Sequence, residues 1–199
     1  KYDYPHNVHV TTGKNNKERI IKAIECLAGS ISFGMSVQSM DDEVLENVRR
    51  SNISVEKMIA LKPAIKNSGL DTSSEVILGL PGETFETHLQ TLRTLLGINV
   101  DHIVVFSCML LKGSQMDTPE QRKKWDLKTK FRILINDFAK LSNGKKVIEI
   151  EEIVIGSNTM TYEDYLNLRE IDLAIYATNT AYVFKPILKF IREHEIDMG

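Results

Sequence analysis

The chain has 199 residues, 42% of them hydrophobic and 26% charged. That is long enough to bury roughly 70% of the unfolded surface, and the mix excludes wholesale disorder and the collagen-like and coiled-coil classes. With 25 basic against 27 acidic side chains the formal net charge is -2, which argues against gripping nucleic-acid phosphates or an anionic membrane and favours a small neutral or zwitterionic ligand.

In chain order, the runs Val8–Thr12, Ile31–Gln38, Glu75–Leu80 and Ile103–Met109 are rich in β-branched or aromatic residues and bounded by turn chemistry, which predicts four strands. Helical patterns fill the gaps. Ile20, Ile24, Leu27 and Ala28 share a face between the first two strands, as do Phe85, Leu89, Leu92 and Leu96 between the last two. The longer middle gap predicts two helices. One covers Asp41–Arg50, where Asp41, Asp42 and Glu43 lead and Arg49 and Arg50 close, complementing the helix dipole; the other covers Val55–Asn67, with Pro63 bending or interrupting it. This alternation argues for βα units and a mostly parallel sheet.

Beyond Thr118 the alternation stops. The tail reads as a helix from Pro119 to about Leu141, an Asn143-Gly144 turn, a strand over Val147–Ile155 and two further helices. Thr161 with Asp164 resembles a capping box, and Pro186 suits a first helical position. Trp125 and Phe131 are expected to anchor this tail. The longest apolar stretch, Ile103 to Leu111, is far shorter than the ~20 residues of a membrane-spanning helix, and nothing at the start resembles a signal peptide. A cytoplasmic location without membrane attachment is the expectation. The two cysteines, Cys26 and Cys108, cannot make a disulfide framework or supply a zinc or iron–sulfur ligand set, so buried free thiols are expected.

The strands carry the first hint of a site. In the second, Ile31, Phe33, Met35 and Val37 are apolar while Ser32, Gly34, Ser36 and Gln38 alternate with them. A small, polar second face in an α/β fold indicates either a cavity or an edge strand facing water. In the third, Glu75 shares a face with Ile77 and Gly79. A carboxylate there accepts hydrogen bonds from ligand hydroxyls, or else pairs with Arg49 or Arg50. Gly79 and Gly82 bracket Leu80-Pro81, allowing a ligand close to the backbone or simply making a tight turn.

Taken together, Ser36-Val37-Gln38-Ser39-Met40-Asp41, then Leu45, Val48, Arg50 and Asn52, then Glu75-Val76-Ile77-Leu78-Gly79-Leu80-Pro81-Gly82-Glu83-Thr84 resemble the radical S-adenosylmethionine (radical SAM) superfamily. The likeness is to the branch of oxygen-independent coproporphyrinogen oxidases, tRNA-modifying enzymes and cobalamin-dependent members, and it covers about residues 8–112. It implies an α/β fold, a partial TIM-like (β/α) barrel in which these strands are the third to sixth of six, over residues 1–117. A mostly helical subdomain over 118–199 follows. It also implies that Ser36 and Gln38 line the SAM site, that Arg50 pairs with the methionine carboxylate, that Glu75 holds the ribose hydroxyls, and that Ile77 and Gly79 lie beside the adenine. Leu111-Lys112-Gly113-Ser114 resembles the turn after the last barrel strand, with Lys in place of Pro.

The superfamily's CxxxCxxC loop, which binds a four-iron four-sulfur cluster, is absent from the chain. The resemblance places that loop upstream of the residues here. Since the chain begins with Lys1, the expectation is the C-terminal part of a longer enzyme, itself without catalytic or metal-binding residues. In the parent the cluster would reduce SAM to methionine and a 5′-deoxyadenosyl radical that abstracts a substrate hydrogen; the branch leaves room for cobalamin as well, bound upstream. The competing reading is a non-catalytic ligand-binding or assembly module that has lost the cluster. Nucleic acid finds no support in the balanced charge, leaving a small molecule as the expected substrate. The outer edge of the first strand is expected to be unpaired and to favour self-association.

Further signals carry less. Thr11-Thr12-Gly13-Lys14-Asn15 lacks phosphate-loop spacing, and His6, His9, His88 and His102 lack metal-ligand spacing, so structural or surface roles are expected for them.

Overall fold

The computed structural model describes residues 22, 33–34, 36–52, 54–56, 58–60, 71–181, 183–194 and 196. The predicted strand Val8–Thr12 with its outer edge, all but one residue of the helix predicted over 20–28, and the Pro63 bend lie outside these residues.

Three parallel strands lie side by side in the order β1 (Phe33–Gly34), β2 (Thr72–Leu78) and β3 (His102–Ser107). Phe33 pairs with Thr72, Glu75 with Val104 and Ile77 with Phe106. β2 starts three residues before the apolar run because its polar N-terminal end is held by side-chain bonds: Thr72 donates from its amide and its hydroxyl to Asp101 Oδ2, at 3.0 and 2.7 Å.

The two faces of β2 differ. Thr72, Ser74, Val76 and Leu78 are buried, whereas Ser73, Glu75 and Ile77 are partly or fully exposed. The buried side meets Leu92 and Leu95 of α2 (Phe85–Gly97), with Val37, Met58, Val100, Ile103 and Ile175. The covered stripe of α2 is His88, Thr91, Leu92 and Leu95, rotated from the predicted Phe85, Leu89, Leu92 and Leu96. A preceding short helix, α1, spans Asp42–Asn47, with Asp41 Oδ1 accepting from Val44 N at 2.9 Å as its N-cap.

The tail differs from expectation. α3 (Pro119–Lys124) begins as predicted, capped by Thr118, but ends after six residues, and Asp126 turns the chain with φ 47. Residues predicted to continue the helix form β4 (Lys128–Lys140), antiparallel to β5 (Lys146–Gly156). The tail is therefore mixed and not mostly helical. The physical reason is a period of two in Lys130-Phe131-Arg132-Ile133-Leu134-Ile135, completed by cross-strand pairs such as Ile133 with Ile150. Phe131 is 63% exposed on this arm and anchors nothing, whereas Trp125 is half-buried. The Asn143-Gly144 turn forms as expected, with Gly144 at φ 82, but it joins two strands.

The base of the arm is built into the core. Val154 N donates to Cys108 O and Leu110 N to Glu152 O, each at 2.9 Å. α4 (Tyr162–Ile175) then packs Tyr165 and Leu168 against Leu78, Ile153 and Ile155. Its capping box is the predicted one: Thr161 Oγ1 accepts from Asp164 N at 3.1 Å, and Thr161 N donates back to Asp164 Oδ2 at 2.9 Å. Thr161→Ala should lower stability by about 1 kcal/mol, read from the denaturant midpoint at constant m. A last helix, α5, covers Lys185–Glu193. Among the described residues no helix is long and apolar enough to cross a membrane.

Candidate functional site

Of the predicted residues, the open face of β2 brings together Ser36, Glu75 and Ile77, with the Gln38 backbone beside them. Glu75, exposed at mid-strand, accepts a 2.8 Å hydrogen bond from Ser36 Oγ. Among the described residues it forms no ion pair with Arg49 or Arg50. Ile77 lies two residues on, beside Phe106, which is 45% exposed. The backbone of Gln38 is stitched into the same edge: its N–H donates to Glu75 O at 2.9 Å and its carbonyl accepts from Ile77 N at 2.8 Å. Between the Gly34–Ser73 and Gln38–Val76 pairings the register slips by one residue, and Gln38 absorbs the slip at φ 64. A non-glycine residue held there costs about 1–3 kcal/mol, which the bonds on either side of Gln38 offset.

Arg50 stands nearby but apart. Helix α1 ends at Asn47, so Arg49 and Arg50 lie beyond it and do not complement its dipole as predicted. Arg49 takes φ 54 and donates to Glu46 O at 2.9 Å, and Arg50 N reaches back to Leu45 O at 2.8 Å. These two bonds make a Schellman motif with an arginine where glycine is usual. The exposed Arg50 side chain borders a groove of about 710 Å³ shared with Met40, Leu45 and Asn52. Neither Gln38 nor Glu75 lines that groove. Asn52 Nδ2 donates to Ser39 O at 2.6 Å, while its Oδ1 is buried with no hydrogen-bond partner.

At the end of β2 the Gly79-Leu80-Pro81-Gly82 turn needs both glycines for conformation, with φ 92 and φ 85. A Cβ on Gly79 would sit 3.5 Å from Val154 O, in ordinary contact, so φ and not space demands glycine there. Asn47 Nδ2 of α1 donates to Pro81 O at 3.2 Å.

Beneath this turn lies an arrangement that no local sequence pattern announces. Glu83 is fully buried; its Oε2 accepts from Gly79 N at 2.6 Å and from Leu80 N at 3.3 Å. Its Oε1 meets His88 Nδ1 at 2.9 Å, and His88 Nε2 meets Asp172 Oδ1 of α4 at 3.4 Å. Burial alone would lower the pKa of His88, but hydrogen bonds to Asp172 and Glu83 and their charges outweigh it and raise it to about 9. The ring is thus an imidazolium at neutral pH. Glu83 was read only as part of the motif, and Asp172 lies too far along the chain for spacing to reveal it.

Lys112, in the turn matched after the last barrel strand, pairs with Glu152 at 3.3 Å. Arg122 forks onto both oxygens of Glu152, each at 2.7 Å. The Arg122 hydrogen bonds hold the Glu152 carboxyl at about 2 against the opposing effect of burial, with help from Thr129 and Lys112.

A scan against protein-family models finds no match. Over 132 residues, 63% of this chain and 19% of the relative, the chain is 29% identical to the cobalamin-dependent radical SAM methyltransferase TokK of Streptomyces tokunonensis. It is 30% identical over 118 residues, 58% of this chain and 25% of the relative, to the tRNA-2-methylthio-N(6)-dimethylallyladenosine synthase of Shewanella baltica. Over these partial stretches the chain is similar to radical SAM enzymes. In fold it resembles the radical S-adenosylmethionine methyltransferase TsrM from Kitasatospora setae, with a TM-score of 0.51 and 12% identity over 85% of this chain and 43% of that one. The chain spans about a fifth to a quarter of the length of these curated relatives.

Set against this similarity to radical SAM enzymes, the residues of this chain do not fit a four-iron cluster. Cys108 is packed among Leu80, Leu110 and Val154, and burial, with the nearby charge of Glu83, pushes its thiol up to about 12. Cys26 lies outside the described residues, and among those residues no group of three or more metal-ligating side chains forms.

Proposed function

We propose that the open face of the β1–β2–β3 sheet is the SAM-recognition edge of a radical SAM enzyme of which this chain supplies a part, strands three to six of its barrel. The observation that carries this reading is Glu75, an exposed carboxylate at mid-strand on the face of Ile77 and Phe106, with Ser36 and the Gln38 backbone bonded around it. An ionised carboxylate there accepts from the two ribose hydroxyls. Ile77 gives the adenine an apolar wall that ends at the Gly79 turn, and Ser36 and Gln38 line the approach. Arg50 offers the methionine carboxylate a two-pronged donor. When bound, SAM supplies a sulfonium whose cleavage yields the superfamily's radical chemistry. The residues here bind and orient it, and no electron-transfer step is assigned to them.

The similarity to a cobalamin-dependent methyltransferase supports methyl transfer as the reaction class and cobalamin as a second cofactor of the parent, with no residue of this chain assigned to it. The charge balance supports a small-molecule substrate, and a cytoplasmic location is part of the same proposal. The test is calorimetric titration of the full-length protein with S-adenosylhomocysteine, which binds without being cleaved. Glu75→Ala and Arg50→Ala should each weaken binding about 10- to 100-fold, the scale of a lost hydrogen bond to a charged group. Unchanged affinity in both variants would overturn the assignment.

A further inference from the structure

We propose that the buried Glu83–His88–Asp172 chain positions the Gly79–Leu80 turn for ligand recognition, which makes His88 a positioning residue for the adenine side of the site. The inference rests on the SAM reading of that turn.

The geometry carries it. Two successive backbone donors, Gly79 N–H and Leu80 N–H, converge on a single Glu83 oxygen, so the orientation of that carboxylate sets the orientation of both peptide planes. The other oxygen of Glu83 is held by His88 on α2, and the far side of the ring by Asp172 on α4. The turn is thereby referenced to two helices at once. Thr159 adds a third tie, donating from Oγ1 to Glu83 O at 2.7 Å.

A merely structural filler would not need charge, since apolar side chains of similar volume do the same packing without the desolvation cost. Here both ring nitrogens face carboxylate oxygens, which only accept, so both bonds exist only while the ring carries two protons. The charged groups around His88 are Glu83 from the turn and Asp172 from α4, with Arg169 Nη1 3.7 Å from Asp172 Oδ2. That Oδ2 is buried and makes no hydrogen bond. The Tyr165 hydroxyl is turned to Ser107 at 3.0 Å, and the Cys108 thiol lies within the field of Glu83. Loss of one ring proton near pH 9 leaves a ring nitrogen lone pair facing a carboxylate oxygen and breaks the chain of bonds that ties Glu83 to both helices.

The experiment compares the full-length wild type with His88→Gln and Asp172→Asn. S-adenosylhomocysteine affinity is measured from pH 7 to 10.5, and amide exchange of Gly79 and Leu80 is measured at fixed pH without ligand. Wild-type affinity should fall several-fold through pH 9. His88→Gln should lose about 5- to 10-fold in affinity at pH 7.5, flatten that profile, and speed Gly79 and Leu80 exchange about tenfold. Asp172→Asn keeps the turn at neutral pH but should move the midpoint of the profile downward, and it carries the test if His88→Gln does not fold. A folded His88→Gln with wild-type affinity and profile, or Asp172→Asn with an unmoved midpoint, overturns the positioning role while leaving the site reading intact. Wild type that never binds S-adenosylhomocysteine overturns the site reading and the ligand role with it, whereas unchanged Gly79 and Leu80 exchange in the variants overturns the positioning role alone.

Discussion

Alanine at position 83 should lower the unfolding free energy by about 3–5 kcal/mol, the scale for removing one member of a buried, hydrogen-bonded ion pair. Three donors lose their acceptor together: Gly79 N–H, Leu80 N–H and His88 Nδ1. All lie where water does not reach, since Glu83 and His88 are fully buried, so each donor is left with its desolvation cost. A loss of that size consumes much of the 5–15 kcal/mol of a typical domain, so the variant should populate unfolded chain near physiological temperature. Glu83→Gln keeps an acceptor oxygen for the turn while removing the charge, and should lose less than the alanine variant. Urea unfolding at pH 7 measures both; an alanine variant within 1 kcal/mol of wild type would show that the turn does not depend on this carboxylate.

Raising the pH from 6 to 10 should destabilise the fold by about 3 kcal/mol through His88 alone. The native ring keeps its second proton until about pH 9, while the unfolded ring gives it up near its ordinary 6.5. Between those values the native state binds more protons than the unfolded state, so stability falls as pH rises. The contribution is complete below about 6.5, declines through that interval, and is gone above about 9. The gap between the two values converts to about 3 kcal/mol. The Cys108 thiol, raised to about 12 by burial, acts with the same sign but only at higher pH, from where an unfolded cysteine starts to ionise. Urea midpoints taken at pH 6, 7.5, 9 and 10 separate the two groups: His88→Gln should abolish the slope below pH 9 and keep the one above. A wild-type slope that persists in His88→Gln would refute the assignment of the proton to this ring.

Which features could be read beforehand follows from the range of the forces involved. Strands β2 and β3 announce themselves by their β-branched runs, and β2 also by the Gly-Leu-Pro-Gly turn that follows it, both local signals. Alternation along each strand places Glu75 with Ile77 and Ser36 with Gln38, but the bond between Glu75 and Ser36 depends on the register between two strands, which no local pattern gives. Arg49 and Arg50 were misread as helix-closing charges because nothing local shows that α1 stops at Asn47; the stop depends on Arg49 adopting a left-handed conformation usually left to glycine. The β4 strand was legible and missed. Its period-two pattern from Lys130 to Ile135 was masked by the genuine helix start at Thr118-Pro119, which invited extension. Glu83, His88 and Asp172 belong to another category, because only the folded chain brings α4 over the turn. No spacing rule connects them, and a lone histidine on a helix is most often a packed or surface residue.

The antiparallel seating of β5 against the continuation of β3 sets a direction for the whole array. The slot beside Cys108 and Leu110 is already taken by Val154 and Glu152, so no additional parallel unit can be appended on that flank. A polypeptide shortened to end at Thr118 would surrender the blocking strand along with Tyr165 and Leu168, leaving Leu78 bare and a raw row of amides ready to recruit a neighbour.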